Sequence, residues 1–213
     1  WLPDQDTGTK AVILIVHGMA ETAARYGRFG AALTASGYVV YAPDMRGHGK
    51  TAKSVENIGS FGSHEGFSGM LDDLRRLSEI IIKDHPGLPF FLFGHSMGAL
   101  LVQRCISEWG GELKGAILSG AVEDAGMLAW LGFAIAGMEA AIRGKEARSR
   151  LLHKLCFGPY NRQFRPARTD FDWLSRDHAE VDAYIADPAC GGTFTARFYC
   201  DFFSFLRFVN SRR

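Results

Sequence analysis

Phe90-Phe91-Leu92-Phe93-Gly94-His95-Ser96-Met97-Gly98 is the stretch that decides the fold of this 213-residue chain. Residues 90–93 are apolar and mostly aromatic, as a buried strand is, and residues 99–109 read as a helix. The pentapeptide G-x-S-x-G joins them. Small residues at both of its ends let strand and helix approach through a tight, strained turn, which holds the Ser96 hydroxyl clear of the backbone at the helix N-terminus. A bare G-x-S-x-G also occurs in Gly-rich helix caps. Here both flanks are those of a nucleophile elbow, so Ser96 is the candidate catalytic residue.

Three further short runs, residues 11–16, 38–41 and 115–118, are β-branched or aromatic and bounded by Gly, Pro or Asp, as buried parallel strands are. Between them lie helical patterns. The clearest is Phe67–Asp84, where Leu71, Leu74, Leu77 and Ile81 share one face and Asp72, Asp73, Arg75, Arg76 and Glu79 take the other, until Pro86 ends it. This alternation predicts a mostly parallel, doubly wound α/β sheet with chemistry at the carboxyl ends of the strands, residues 1–120 forming the N-terminal part of that core. A serine nucleophile needs donors for the oxyanion. The amide of Met97 follows the nucleophile, and the loop Val16-His17-Gly18-Met19-Ala20-Glu21, which leaves the first strand, is placed to offer the amide of Met19.

After Gly120 the alternation stops. Residues 121–190 carry helical patches and no clear strand, and are expected to form a helical lid inserted on top of the sheet. Residues 127–142 are apolar on nearly every face yet fall short of a bilayer crossing, and 143–168 follow with eight Lys/Arg against the single acid Glu146. That order fits a segment resting on an anionic lipid surface, with Arg143, Arg148 and Arg150 as lipid-facing charges. Residues 191–213 read as a return helix to the core, whose aromatic face (Phe198, Phe202, Phe203, Phe205, Phe208) would need a partner to cover it.

Composition excludes several classes. With 24 basic and 23 acidic residues the chain has no bulk field of the kind that drives nucleic-acid binding. The cysteines, Cys105, Cys156, Cys190 and Cys200, form neither a C-x-x-C pair nor a cluster with histidine at zinc-ligand spacing, so no metal is indicated and a reducing, cytoplasmic setting is expected. Gly47-His48-Gly49-Lys50-Thr51 imitates the end of a phosphate-binding loop, but Asp44 stands where that loop requires glycine.

The chain resembles the α/β-hydrolases of the monoacylglycerol lipase and lysophospholipase group. The resemblance is carried by His17-Gly18 with Glu21 and Arg25-Tyr26, by Asp44-x-Arg46-Gly47-His48-Gly49, by Gly94-His95-Ser96-Met97-Gly98, and by Thr169-Asp170-Phe171-Asp172-Trp173-Leu174-Ser175-Arg176-Asp177. Ala20 stands where the group usually has glycine and Thr22 where it usually has histidine. The resemblance implies cofactor-free hydrolysis of a lipid ester by a Ser-Asp-His triad, with the inserted segment as an apolar lid over the acyl chain. It also implies that the catalytic Asp and His follow strands beyond Arg213, the C-terminal part of the core being absent. Within the chain, Asp124 with His153 or His178 would satisfy the order Ser, Asp, His. A peptidase or acyltransferase on the same fold, and a catalytically silent binding protein, are the rival readings.

Overall fold

The computed structural model describes residues 1–3, 8–62, 65–121 and 126–210. Strands β1 (Ala11–Val16), β2 (Tyr38–Tyr41), β3 (Phe90–His95) and β4 (Gly115–Ser119) form one parallel sheet in the order β2-β1-β3-β4. Central β1 is buried along its whole length, which is why it reads as a continuous apolar run. The pleat sends Val12, Leu14 and Val16 to one face and Ile13 and Ile15 to the other. Helix α1 (Gly27–Ala35) covers the second face through Leu33 and through Phe29 on Phe93, 5.3 Å between ring centroids. Helices α2 (Phe67–Asp84) and α3 (Met97–Trp109) cover the first, Met70, Leu74 and Ile81 packing with Leu100, Leu101 and Cys105.

Within the described residues β4 pairs with β3 on one side only, and Ile117 and Leu118 are 53% and 38% exposed, so an apolar run that reads as a buried strand has one edge open here.

Beyond β4 the described residues are helical: α4 (Gly126–Arg143), α5 (Arg150–Phe157), α6 (His178–Ala186) and α7 (Ala196–Asn210). The expectation that the aromatic face of α7 lies uncovered is overturned. Phe198, Phe202, Phe203 and Phe205 are buried, and only Phe208 is exposed. Two surfaces cover them. Phe61 stacks on Phe198 at 4.7 Å and Phe67 on Phe205 at 5.0 Å. From the other side α4 comes close because it presents Ala129, Gly132 and Ala136; a Cβ at Gly132 would lie 2.5 Å from the Phe203 ring. The small residues thus take the buried face of α4 and leave Met127, Trp130, Met138 and Ile142 exposed.

Arg148 is a second correction. Its guanidinium donates to the carbonyls of Ile58 (2.6 Å), Thr193 and Glu56, so it ties the α4–α5 connection to the loop after β2 instead of facing lipid. Arg143 pairs with Glu139 one turn earlier on α4, at 3.2 Å. Arg150 stays exposed.

Candidate active site

Ser96 stands between β3 and α3 with φ 52° and ψ −115°, a conformation that L-residues avoid and that costs of order 1–3 kcal/mol. Three backbone hydrogen bonds hold it: the Ser96 amide donates to the Ser119 carbonyl at 2.9 Å, and the Ser96 carbonyl accepts from the Ala99 amide at 2.9 Å and the Leu100 amide at 3.3 Å. The flanking glycines are required by contact. A Cβ at Gly94 would lie 2.5 Å from the Gly98 carbonyl oxygen, and one at Gly98 2.0 Å from that of Val16. The elbow is therefore pressed against the end of β1, which brings Ser96 beside the loop Gly18–Met19. As the first residue of α3, Met97 has an amide with no intrahelical acceptor, at the positive end of a 13-residue helix.

The first loop is fixed by its own side chains. His17 is buried; its Nε2 accepts from the Met45 amide at 2.9 Å, so the proton sits on Nδ1 and is donated to the Gly18 carbonyl at 2.7 Å. Burial lowers the His17 pKa and keeps the ring neutral. His48 packs against it at 5.1 Å between ring centroids, and burial first, then the neighbouring His17, lowers its pKa to about 3. The Glu21 carboxylate accepts from the Gly18 amide at 2.6 Å and from the Tyr26 hydroxyl at 2.9 Å, and pairs with Arg25. The Gly18 amide is thus spent, whereas that of Met19 has no acceptor among the described residues.

Ser96 opens on a cavity of about 650 Å3. Around Ser96 it is lined by Gly18, Met19, Glu21, Arg25 and His95, and most of the remaining lining is apolar, with Leu128, Leu131 and Ile135 from α4, Leu152 and Leu155 from α5, and Phe203 and Leu206 from α7. Cys156 also lines it, but burial pushes its thiol up to about 12, so it stays protonated and is no rival nucleophile. His95 is the one histidine among the described residues that lines the cavity, and its Nδ1 lies 3.4 Å from the Ser119 hydroxyl. His153 and His178 do not line it, so the structure does not bring either to Ser96. Asp124 lies outside the described residues.

The loop that imitates a phosphate site is filled by its own carboxylate. Asp44 accepts from the Ala23 and Lys50 amides, and a Cβ at Gly49 would lie 2.4 Å from it. Among the described residues no group of three His, Cys, Asp or Glu could hold a metal. Sequence reading missed Tyr184, whose ring lines the cavity and whose hydroxyl donates to the Ala20 carbonyl at 2.7 Å. Nothing periodic links residues 164 positions apart.

The family described as serine aminopeptidase, S33, matches residues 7–213. The chain belongs to this family of α/β-hydrolases. Among its relatives are the monoacylglycerol lipase of Mycolicibacterium smegmatis, 32% identical over 188 residues that cover 88% of this chain and 58% of that protein, and the monoglyceride lipase of Homo sapiens, 30% identical with 88% and 54% covered. This α/β-hydrolase is accordingly monoacylglycerol lipase-like, and it spans somewhat over half the length of those curated relatives. Among solved structures, a carboxyl esterase from Bacillus coagulans in complex with glycerol superposes with a TM-score of 0.86 at 26% identity, covering 98% of this chain and 67% of that one.

Proposed function

We propose that this α/β-hydrolase is a serine hydrolase that cleaves carboxylic esters of lipids, of the monoacylglycerol or lysophospholipid class. The observation that carries the reading is the strained Ser96 lining a largely apolar cavity, beside two unspent amides. In the reaction the Ser96 oxygen bonds to the ester carbonyl carbon, the carbonyl becomes an oxyanion held by the amides of Met19 and Met97, and the Ser96 proton passes to a general base and from it to the departing alcohol. Water then returns the acyl group as a carboxylic acid. The base and the carboxylate that orients it are the His-Asp pair that the family resemblance implies.

The cavity walls support a lipid over a peptide. An aminopeptidase, as the family's description has it, needs a free carboxylate for the substrate ammonium, and the acid lining the cavity around Ser96, Glu21, is already engaged by the Gly18 amide, Tyr26 and Arg25. Residues 121–190 act in this reading as a lid whose α4 and α5 wall the acyl site, with 1–120 and 191–213 belonging to the core. The same lid touches membranes. By length and composition α4 passes for a membrane-crossing helix, and only 17% of its apolar window is buried; since it also walls the cavity and packs along α7, an interfacial position suits it better than a crossing.

The test is labelling of the whole protein with a fluorophosphonate. One serine is modified, Ser96→Ala abolishes both labelling and ester turnover with thermal unfolding otherwise intact, and modification of a different serine overturns the assignment.

A further inference from the structure

Resting on the esterase reading, we infer that Tyr184 is a positioning residue for the oxyanion loop: its hydroxyl, with the amide of Gly191, holds the Ala20 carbonyl and so keeps the left-handed turn that presents the Met19 amide beside Ser96. Ala20 has φ 61°, where a residue bearing a Cβ is strained and persists only if its surroundings over-determine it. The flanks of the turn are secured from within the core, Gly18 by His17 and Glu21 and the Ala23 amide by Asp44. The Ala20 carbonyl itself is held from the far segment, by the Tyr184 hydroxyl at 2.7 Å and the Gly191 amide at 2.9 Å. That amide also approaches the Tyr184 oxygen, at 3.0 Å, so the three groups close a compact cluster.

Tyr184 is itself held firmly. It is buried on α6, its ring 5.2 Å from Phe171 and 4.9 Å beneath the Arg25 guanidinium, and burial raises its pKa so that the hydroxyl keeps the proton it donates. A segment that follows the cavity wall in the chain is therefore fastened to the loop carrying one of the two oxyanion donors. Displacing that segment releases the strain at Ala20 and withdraws the donor.

Tyr184→Phe in the whole protein keeps the ring contacts and deletes the two hydrogen bonds of the oxygen. The expected result is kcat lower by about tenfold with KM within about twofold, because a donor needed in the transition state is misplaced while the acyl site is unchanged. The factor should be the same for esters with small and large alcohol groups. Adding Ala20→Gly to Tyr184→Phe should restore part of kcat, since glycine holds this turn without strain. Thermal unfolding of each variant separates loss of fold from loss of rate. Unchanged kcat in folded Tyr184→Phe, a loss confined to KM, or one that varies with the alcohol overturns the inference, the last two making Tyr184 a substrate contact. Those outcomes leave the esterase reading standing; a wild-type protein that turns over no ester removes both.

Discussion

Gly98→Ala probes the elbow with the smallest perturbation available. The added Cβ would lie 2.0 Å from the Val16 carbonyl oxygen and 2.7 Å from that of His17, both backbone atoms at the end of the central strand. Contacts under 3.0 Å essentially never occur for a Cβ, so α3 and β1 must separate by about 1 Å. Two costs follow. Overpacking a site with no flexible neighbour costs roughly 1–3 kcal/mol of stability. A displacement of that size between nucleophile and oxyanion donors costs on the order of 10²-fold in rate, because Ser96 and Met97 ride on α3 while Met19 follows β1. The assay is the second-order rate of fluorophosphonate labelling beside a urea unfolding curve. Gly111→Ala is the control, as nothing lies within 4 Å of the Cβ it adds. Labelling of folded Gly98→Ala at the wild-type rate would refute the argument that the close approach of elbow and first strand sets the geometry.

Stability should fall as the solution is acidified from pH 6.5. His48 and His17 have folded pKa values below the ordinary 6.5, so the unfolded chain takes up protons that the folded one refuses; stability is full above 6.5 and is lost toward the folded value, about 3 for His48. His48 should contribute about 1.4 kcal/mol per pH unit between well below 6.5 and its folded value, His17 acting in the same direction, and urea midpoints between pH 7 and 5 should flatten in His48→Gln. Arg148→Ala should destabilise by about 2–3 kcal/mol in urea, leaving three carbonyls without their charged donor, whereas Arg150→Ala should stay within about 0.5 kcal/mol. Reversing Arg150 and Lys154 should weaken flotation with anionic vesicles, in a manner that fades as salt rises, and leave hydrolysis of a short soluble ester unchanged; equal flotation with neutral and anionic lipid would refute lipid contact through charge.

The sequence by itself determined the elements that local rules control. Continuous apolar runs mark the four strands of the described residues within a residue or two, the two-faced pattern of Phe67–Asp84 marks α2 end to end, and the glycines of the elbow announce an approach so close that a Cβ at Gly98 would lie 2.0 Å from the Val16 carbonyl oxygen. Ser96, Met19 and Met97 can be proposed from the sequence because an elbow and a loop after the first strand are each written in consecutive residues. What only the tertiary structure decided are contacts between distant segments of similar composition. Residues 127–142 are apolar on nearly every side, so periodicity does not say which face packs; the small-residue stripe Ala129, Gly132, Ala136 is the buried one, and at Gly132 the Phe203 ring leaves no room for a Cβ. Arg148 reads in the sequence as one more lipid-facing charge, whereas in the fold three backbone carbonyls converge on it. Tyr184 carried no signal at all, since its partner is a backbone oxygen, and a backbone oxygen is the same at every residue: only folding selects the carbonyl of Ala20 among all the others.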